Sequence, residues 1–398
     1  MTRLLLANLH GEAVLAARRR ERATGDDELG LPRSLLQRLS ATGTLLRVLC
    51  RPEDRLWTPL PVDPSCLAVV DGWEAPVLLA GEPPRPAPGE EVVPWMASPV
   101  GTCVPEAAID VAARVCHRRF GLDLAADMGL ALPGARMLSS RSELSAHVAD
   151  GGAAAAPSGR WVLKPPWSAA GRGQLVSPPE ADPVPPRWWE QLEQAFAWHG
   201  ELLFEPWLDR VHDLGTAGDV RDSGVSVQGS HGLVVGARGR FAGVEVHTSE
   251  QAGAQDTWPA GLTPALAERL ADVARSVGHA LAAAGYCGPF GVDAFTHRKI
   301  SGEVALQPLC EINARLTFGR VAAEWLAVVA AASNDRGCSG RLLFARGPIP
   351  AEAERQVGRV IPLLQPDPSH ARGGTSAWLE VWQTEEPDGR SGQSPGQQ

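Results

Sequence analysis

Two short runs constrain this chain more than any other stretch: GPFGVDAF at 288–295 and CEINARLTFG at 310–319. Each reads as a strand, apolar and bounded by turn residues, yet each carries acids in its interior. Asp293 sits in the first strand, and Glu311 and Asn313 lie near the end of the second. Residues two apart on a strand face the same way, so Glu311 and Asn313 can share a ligand. Asp293 on a neighbouring strand completes an all-oxygen set. Such a set suits Mg²⁺, which takes carboxylates, waters and nucleotide phosphates rather than a closed protein cage. Arg315 repeats the same face and is placed to meet an anion beside the metal. The competing reading is a surface carboxylate paired with an arginine at a strand end. Asn313 is one of only three asparagines in the chain, which tilts the balance toward function.

The same bias singles out a second position. Only two of the 37 basic residues are lysines, Lys164 and Lys299. Lys164 ends the strand Trp161–Lys164 and opens VLKPPWSAAGRG (162–173), where a fixed cation is followed by a small-residue loop. Backbone N–H groups in such a loop can approach phosphate oxygens, and glycine lets them come close. It is not a P-loop, which carries its lysine after the glycines; alone, such a turn is more often structural. Further on, FEPWLDRVHD (204–213) ends an apolar strand at Glu205. The extended Pro206-Trp207-Leu208 stretch exposes main-chain groups able to pair with the edge of adenine. Asp213 is the candidate for holding ribose hydroxyls, with His212 its rival and a plain strand end as the alternative.

In this order, the lysine strand and glycine loop, the Glu-Pro-Trp-Leu hinge, the aspartate and Glu-x-Asn-x-Arg resemble the ATP-grasp superfamily. EINARL is similar to the form in carbamoyl-phosphate synthetases and biotin carboxylases, and EPWL to the hinge of D-alanine–D-alanine ligases. The match covers about 116–330. The resemblance implies an α/β fold in parts: a parallel pre-ATP-grasp domain over 1–115, then a linker helix and lid over 116–204. A central α+β domain with the metal site follows over 205–345, and a C-terminal extension with a disordered tail over 346–398.

It also implies roles. Lys164 binds the α- and β-phosphates, and the loop with Ser168, Gly171 and Gly173 closes over the γ-phosphate. Glu205 and Leu208 contact adenine through their backbones, and Asp213 the ribose. Asp293, Glu311 and Asn313 hold Mg²⁺ or Mn²⁺, and Arg315 orients an acyl phosphate. Many members carry a lysine triplet before a Leu-Gly-x-Pro turn. Here VCHRRFGLDLAADMGLALPG (115–134) has the turn without the triplet, and Arg118 falls at about the right distance. A guanidinium can replace an ammonium on phosphate. The gap of 18 residues from Asp293 to Glu311 is long, and Lys299 falls at the expected hairpin tip.

The implied activity is ATP-dependent joining of a small-molecule carboxylate to an amine. The alternatives are a carboxylase or carbamoyl-phosphate-type enzyme, disfavoured for want of a biotin-carrier-like segment, and a non-catalytic ATP-binding scaffold. Composition fits. With 398 residues the chain exceeds one core, and its net charge of −9 disfavours nucleic acid and anionic membrane as general partners. Seven cysteines without a C-x-x-C pair indicate neither a disulfide framework nor zinc, so a cytoplasmic setting is expected. No signal or membrane segment is visible, and a homodimer is compatible with the resemblance.

Elsewhere, Leu4–Ala7, Leu45–Leu49 and Leu67–Val70 read as buried parallel strands, and GEPPRPAPGEEVVP (81–94) as loop. Helices are expected near 105–129, 140–149, 187–199, 264–284 and 317–332, with an antiparallel meander over 210–247. Residues 385–398 read as the disordered tail. His231 and His247 fall in the meander and read as surface or satisfied histidines.

Overall fold

The computed structural model describes residues 1–24, 31–70, 73–100, 102–178, 185–236, 239–247, 261–333, 338–351, 353, 359–367 and 374–383. The expected tail at 385–398 lies outside them. Among the described residues no helix is long and apolar enough to cross a membrane.

The first unit contains β1 (Arg3–Leu6), α1 (Gly11–Thr24), α2 (Arg33–Gly43), β2 (Arg55–Thr58), β3 (Val77–Ala80) and β4 (Glu91–Pro94). Its four strands are all parallel, in the order β3-β2-β1-β4. Two of the expected strands are absent. Leu45–Leu49 instead lies in a 3₁₀ turn, Thr44–Leu49, that continues α2. A short apolar run suits a buried helical turn as well as a strand, and here Leu45 and Leu46 are wholly buried. Leu67–Val70 makes only one bridge, Leu67 to Leu364, and Val69 is exposed. The strand is instead Arg55–Thr58, fixed at its start by Arg3, whose Nε lies 2.9 Å from Asp54 Oδ2. The loop expected to run to residue 94 stops short, because Val92 and Val93 pair with β1 as β4.

The expected helix over 105–129 is two helices, α3 (Glu106–Val115) and α4 (Arg118–Asp127), broken where the His117 ring accepts from the Arg119 N–H. The second unit follows with β5 (Arg136–Leu138), α5 (Arg141–Ala149), β6 (Trp161–Lys164), β7 (Leu175–Val176), α6 (Pro186–His199) and β8 (Leu202–Pro206). Its sheet is antiparallel, in the order β5-β8-β6-β7, and packs Leu163 and Phe204 against Leu192 and Phe196 of α6.

The third unit is one eight-stranded antiparallel sheet. It is built from β9 (Asp209–Arg221), β10 (Gly224–Gly236), β11 (Arg240–His247), α7 (Pro264–Ala283), β12 (Gly288–Arg298), β13 (Val304–Asn313), α8 (Phe318–Ser333), β14 (Cys338–Arg346), β15 (Arg359–Leu364) and β16 (Thr375–Gln383). The strand order is β13-β12-β9-β10-β11-β14-β16-β15, so the segment after 345 adds two strands to this same sheet. Thr263 caps α7 by accepting from Leu266 N, with Pro264 at its first position. Val273, Val277 and Leu281 of α7 cover Phe290, Val292 and Ile312 on one sheet face, which leaves Asp293, Glu311 and Asn313 on the other. Helix α8 packs on β11 and β14 and also against the 3₁₀ turn, where Trp325 Nε1 donates to Leu45 O at 3.0 Å. That contact ties the first unit to the large sheet.

Candidate active site

The register of the large sheet draws the site. Asp293 on β12 lies directly opposite Glu311 on β13, and Gly291 opposite Asn313. On the other side Asp293 pairs with Gly215 of β9, which pairs in turn with His231 of β10. A row Glu311–Asp293–Gly215–His231 therefore crosses four strands on one face. Between Asp293 and Phe295 the partner on β13 moves from Glu311 to Gln307, so a bulge holds two extra residues. This bulge, with the hairpin extended to Arg298 and Val304, accounts for the long gap. Lys299 sits at the hairpin tip, 3.1 Å from Glu303.

The row opens on a cavity of about 480 Å³ lined by Lys164, Gly171, Asp213, Asp293, Glu311, Asn313 and Arg315. A second, small cavity of about 40 Å³ is lined by Arg118, Ser168, Glu205 and Glu311. Gly173 lines neither, and Leu208 packs with Ala156 and Phe295. Lys164 is buried and paired with Glu205 across β6 and β8, and its Nζ lies 4.0 Å from Cys310 Sγ. After it the chain turns through left-handed backbone: Ala170 has φ 55°, and Gly171 and Gly173 each 71°. Ala170 is the one non-glycine in that region among the described residues, a local cost of about 1–3 kcal/mol of the kind that clusters at ligand-binding loops. A Cβ at Gly171 would stand 3.0 Å from Gly239 O, so the loop rests closely on the backbone at Gly239, just before β11.

Arg118 is buried. Its Nη1 is 2.9 Å from Glu311 Oε2, its Nε donates to Pro165 O at 2.9 Å, and its Nη2 donates to Ser168 Oγ at 3.1 Å. It thus ties the lysine loop to the acid on β13. Arg315 Nε is 2.6 Å from Glu12 Oε1 of α1, its Nη2 donates to Asn313 Oδ1 at 2.9 Å, and its guanidinium stands 5.2 Å from the Trp95 ring centre. Asp213 pairs with Arg210 at 2.6 Å, while the His212 backbone N–H donates to Thr296 Oγ1. Asp213, not His212, reaches the cavity.

The electrostatics separate the two acids. Burial, then the Glu311 charge opposite, pushes Asp293 above the usual carboxylate range, although Arg315 and the Asn313 amide pull the other way. For Glu311 burial acts in the same direction, but Arg118 and Lys164 outweigh it and hold the group low. Two facing carboxylates, one of them poorly neutralised, fit a divalent cation held jointly with phosphates. The Asn313 oxygen is engaged by Arg315 and one Glu311 oxygen by Arg118, which leaves the Asp293 carboxylate and the second Glu311 oxygen as the more open donors of the trio. Among the described residues no three His, Cys, Asp or Glu side chains are grouped to hold a metal by themselves.

Several cavity residues escape a sequence reading. Glu12 and Trp95 come from the first unit, far away in sequence. Arg210 and Cys310 flank recognised motifs, and the bulge is what brings Cys310 within reach of both Lys164 and Arg210, 3.7 Å from the latter. His231, expected at the surface or satisfied, is buried in the cavity wall, and burial, with His247 adding to it, lowers its pKa to about 4.

No protein-family model matches the chain, and no curated protein matches it in sequence. Solved structures do match. N5-carboxyaminoimidazole ribonucleotide synthetase from Thermus thermophilus aligns over 97% of this chain and 94% of its own, at 14% identity and a TM-score of 0.53. Biotin carboxylase from Campylobacter jejuni aligns over 96% and 88%, at 11% identity and a TM-score of 0.50. The chain has the ATP-grasp fold. Pyruvate carboxylase from Rhizobium etli, also similar, is a longer chain: 97% of the present chain covers 36% of it, at 12% identity and a TM-score of 0.52. At these identities the likeness is one of fold, and the chemistry of the cavity rests on its own residues.

Proposed function

We propose that this ATP-grasp chain is an ATP- and Mg²⁺-dependent ligase that activates a carboxylate as an acyl phosphate and joins it to an amine. The observation that carries the reading is the single cavity in which Lys164, Asp293, Glu311 and Arg315 converge beneath the left-handed loop. Among the described residues its walls hold six basic side chains (Arg38, Lys164, Arg172, Arg210, Arg315, Arg346) against four acidic ones (Glu12, Asp213, Asp293, Glu311), although the whole chain is at −9. A basic cavity in an acidic protein suits anionic substrates.

In this reading Lys164 holds the α- and β-phosphates, and Ser168, Gly171 and Gly173 belong to the loop that covers the γ-phosphate and excludes water. The backbones of Glu205 and Leu208 meet adenine, and Asp213 meets ribose. Asp293 and Glu311, with Asn313 beside them, would hold Mg²⁺, which when bound offsets charge on the transferring phosphoryl group. Arg315 orients the acid. Arg118 acts on the site through Glu311 and the loop. Positioning and charge neutralisation supply most of the acceleration. The units 1–115, 116–204 and 205–345 then serve as pre-ATP-grasp domain, linker with lid, and metal-site domain, with 346–398 as the extension.

ADP release measured over acid and amine pairs tests this. Release should require Mg²⁺ and both substrates and should vanish in Glu311→Ala; metal-independent turnover contradicts the site. A second reading, carboxylation with bicarbonate as the activated acid, draws on the names of the three neighbours. Bicarbonate-dependent ADP release without an added carboxylate would favour it. Mg·ATP binding without turnover across the panel would point to a scaffold.

A further inference from the structure

One wall of the cavity is aromatic, unlike the charged wall around Lys164, Asp293 and Glu311. Trp95, Phe241, Phe318 and Phe344 line it together. Their rings form a continuous cluster: Trp95 to Phe318 at 5.0 Å, Phe318 to Phe344 at 5.0 Å, Phe241 to Phe344 at 5.7 Å and Phe241 to Phe318 at 5.9 Å. The chain has only eight phenylalanines, and three of them meet here from β11, α8 and β14. All three are only partly buried. Rings left half-covered on the wall of a cavity are the usual lining of a small-molecule site, and they cost free energy while they face water.

The wall begins at the reactive end, because the Arg315 guanidinium stands over Trp95. A carboxylate held by Arg315 would therefore direct its substituent along Trp95 onto Phe318 and the two rings beyond. The charges flanking this wall favour an acid over an amine. Arg38, Arg172 and Arg346 line the cavity and form no ion pair among the described residues. Arg172 is close enough to Glu12, Arg38 and Arg315 to feel all three charges. Among the described residues the cations lining this cavity outnumber the acids, Glu12 offsetting only part of the charge at Arg172, and such an excess repels an ammonium and attracts a carboxylate.

We infer that the acid substrate carries an aromatic or large apolar group, received by Trp95, Phe241, Phe318 and Phe344. This deepens the ligase reading and rests on it for which substrate enters here. The probes are 3-phenylpropionate, propionate and phenethylammonium, titrated by thermal shift or calorimetry into the full chain with Mg·ADP. The expected result is that 3-phenylpropionate binds at least about tenfold more tightly than propionate, a step of 1.4 kcal/mol, and more tightly than phenethylammonium. Phe344→Ala should abolish most of that preference while Mg·ADP still binds. Phe241→Leu, a milder change, should reduce it in part and guards against a fold defect in the first variant. Equal binding of the two acids, a preference for phenethylammonium, or unchanged discrimination in both variants would overturn the inference. Absence of any Mg·ADP response in the wild type would instead overturn the ligase reading, and acid discrimination that survived it would leave the aromatic subsite standing alone.

Discussion

Replacing Arg118 by alanine separates two roles for this residue, a direct phosphate contact and a strap within the protein. The guanidinium is 6% exposed in its side chain and reaches Glu311, Pro165 O and the Ser168 hydroxyl at once. Breaking a buried ion pair by removing one partner costs about 3–5 kcal/mol. Glu311 keeps 23% exposure toward the cavity and retains the nearby Lys164 charge, so the lower end applies, about 3 kcal/mol. For 398 residues unfolding together, that corresponds to a fall in Tm of about 4 °C. Urea unfolding followed by the fluorescence of the 13 tryptophans gives an independent midpoint. The decisive comparison is the cycle with Glu311→Gln. With the carboxylate gone, Arg118→Ala should cost only about 1 kcal/mol, the value of hydrogen bonds to Pro165 and Ser168 alone. Arg118→Lys should recover less than half, because one ammonium cannot span three acceptors in a fixed fork. Equal cost in the two backgrounds would refute the strap.

Asp293→Asn should stabilise the nucleotide-free protein by about 2–4 kcal/mol at neutral pH while abolishing turnover, as read by Tm and ADP release. The sign follows from linkage: burial and Glu311 raise the folded-state pKa, so the native state binds its proton more tightly than the unfolded chain does. The wild type should therefore lose stability relative to the variant as pH rises above the ordinary carboxylate range, and a constant difference from pH 4 to 7.5 would contradict this. Lys299→Ala, at the exposed hairpin tip, should change Tm by less than about 0.5 °C and leave ADP release intact. Ala170→Gly should relieve the left-handed strain and raise Tm slightly, whereas Ala170→Val should lower it and weaken Mg·ATP binding.

The acids of β12 and β13 were legible because strand alternation fixes a face whatever the distant partners are. The Thr263–Pro264 start of α7 and the lysine strand were legible for the same local reason. Leu45–Leu49 was not, because its 3₁₀ form depends on docking against Trp325, 280 residues away. Likewise the Arg315–Glu12 pair joins residues 303 apart. The bulge that turns Cys310 toward Lys164 has no signature in composition. His231 is buried by the absence of side chains at Gly215 and Gly319, where a Cβ would come within 2.4 and 2.2 Å of its ring. Such a slot is visible only once three elements are assembled.

The central claim, that this cavity binds Mg·ATP through Lys164, is tested most directly by comparing the Mg·ATP-induced thermal shift of wild type and Lys164→Met. A ligand at about 100 times its Kd adds about 2.7 kcal/mol to the folded state. The account predicts a Mg²⁺-dependent stabilisation of the wild type that is largely lost in the variant, each compared with its own nucleotide-free Tm. An equal shift in both proteins, or none in a well-folded wild type at millimolar Mg·ATP, would contradict it.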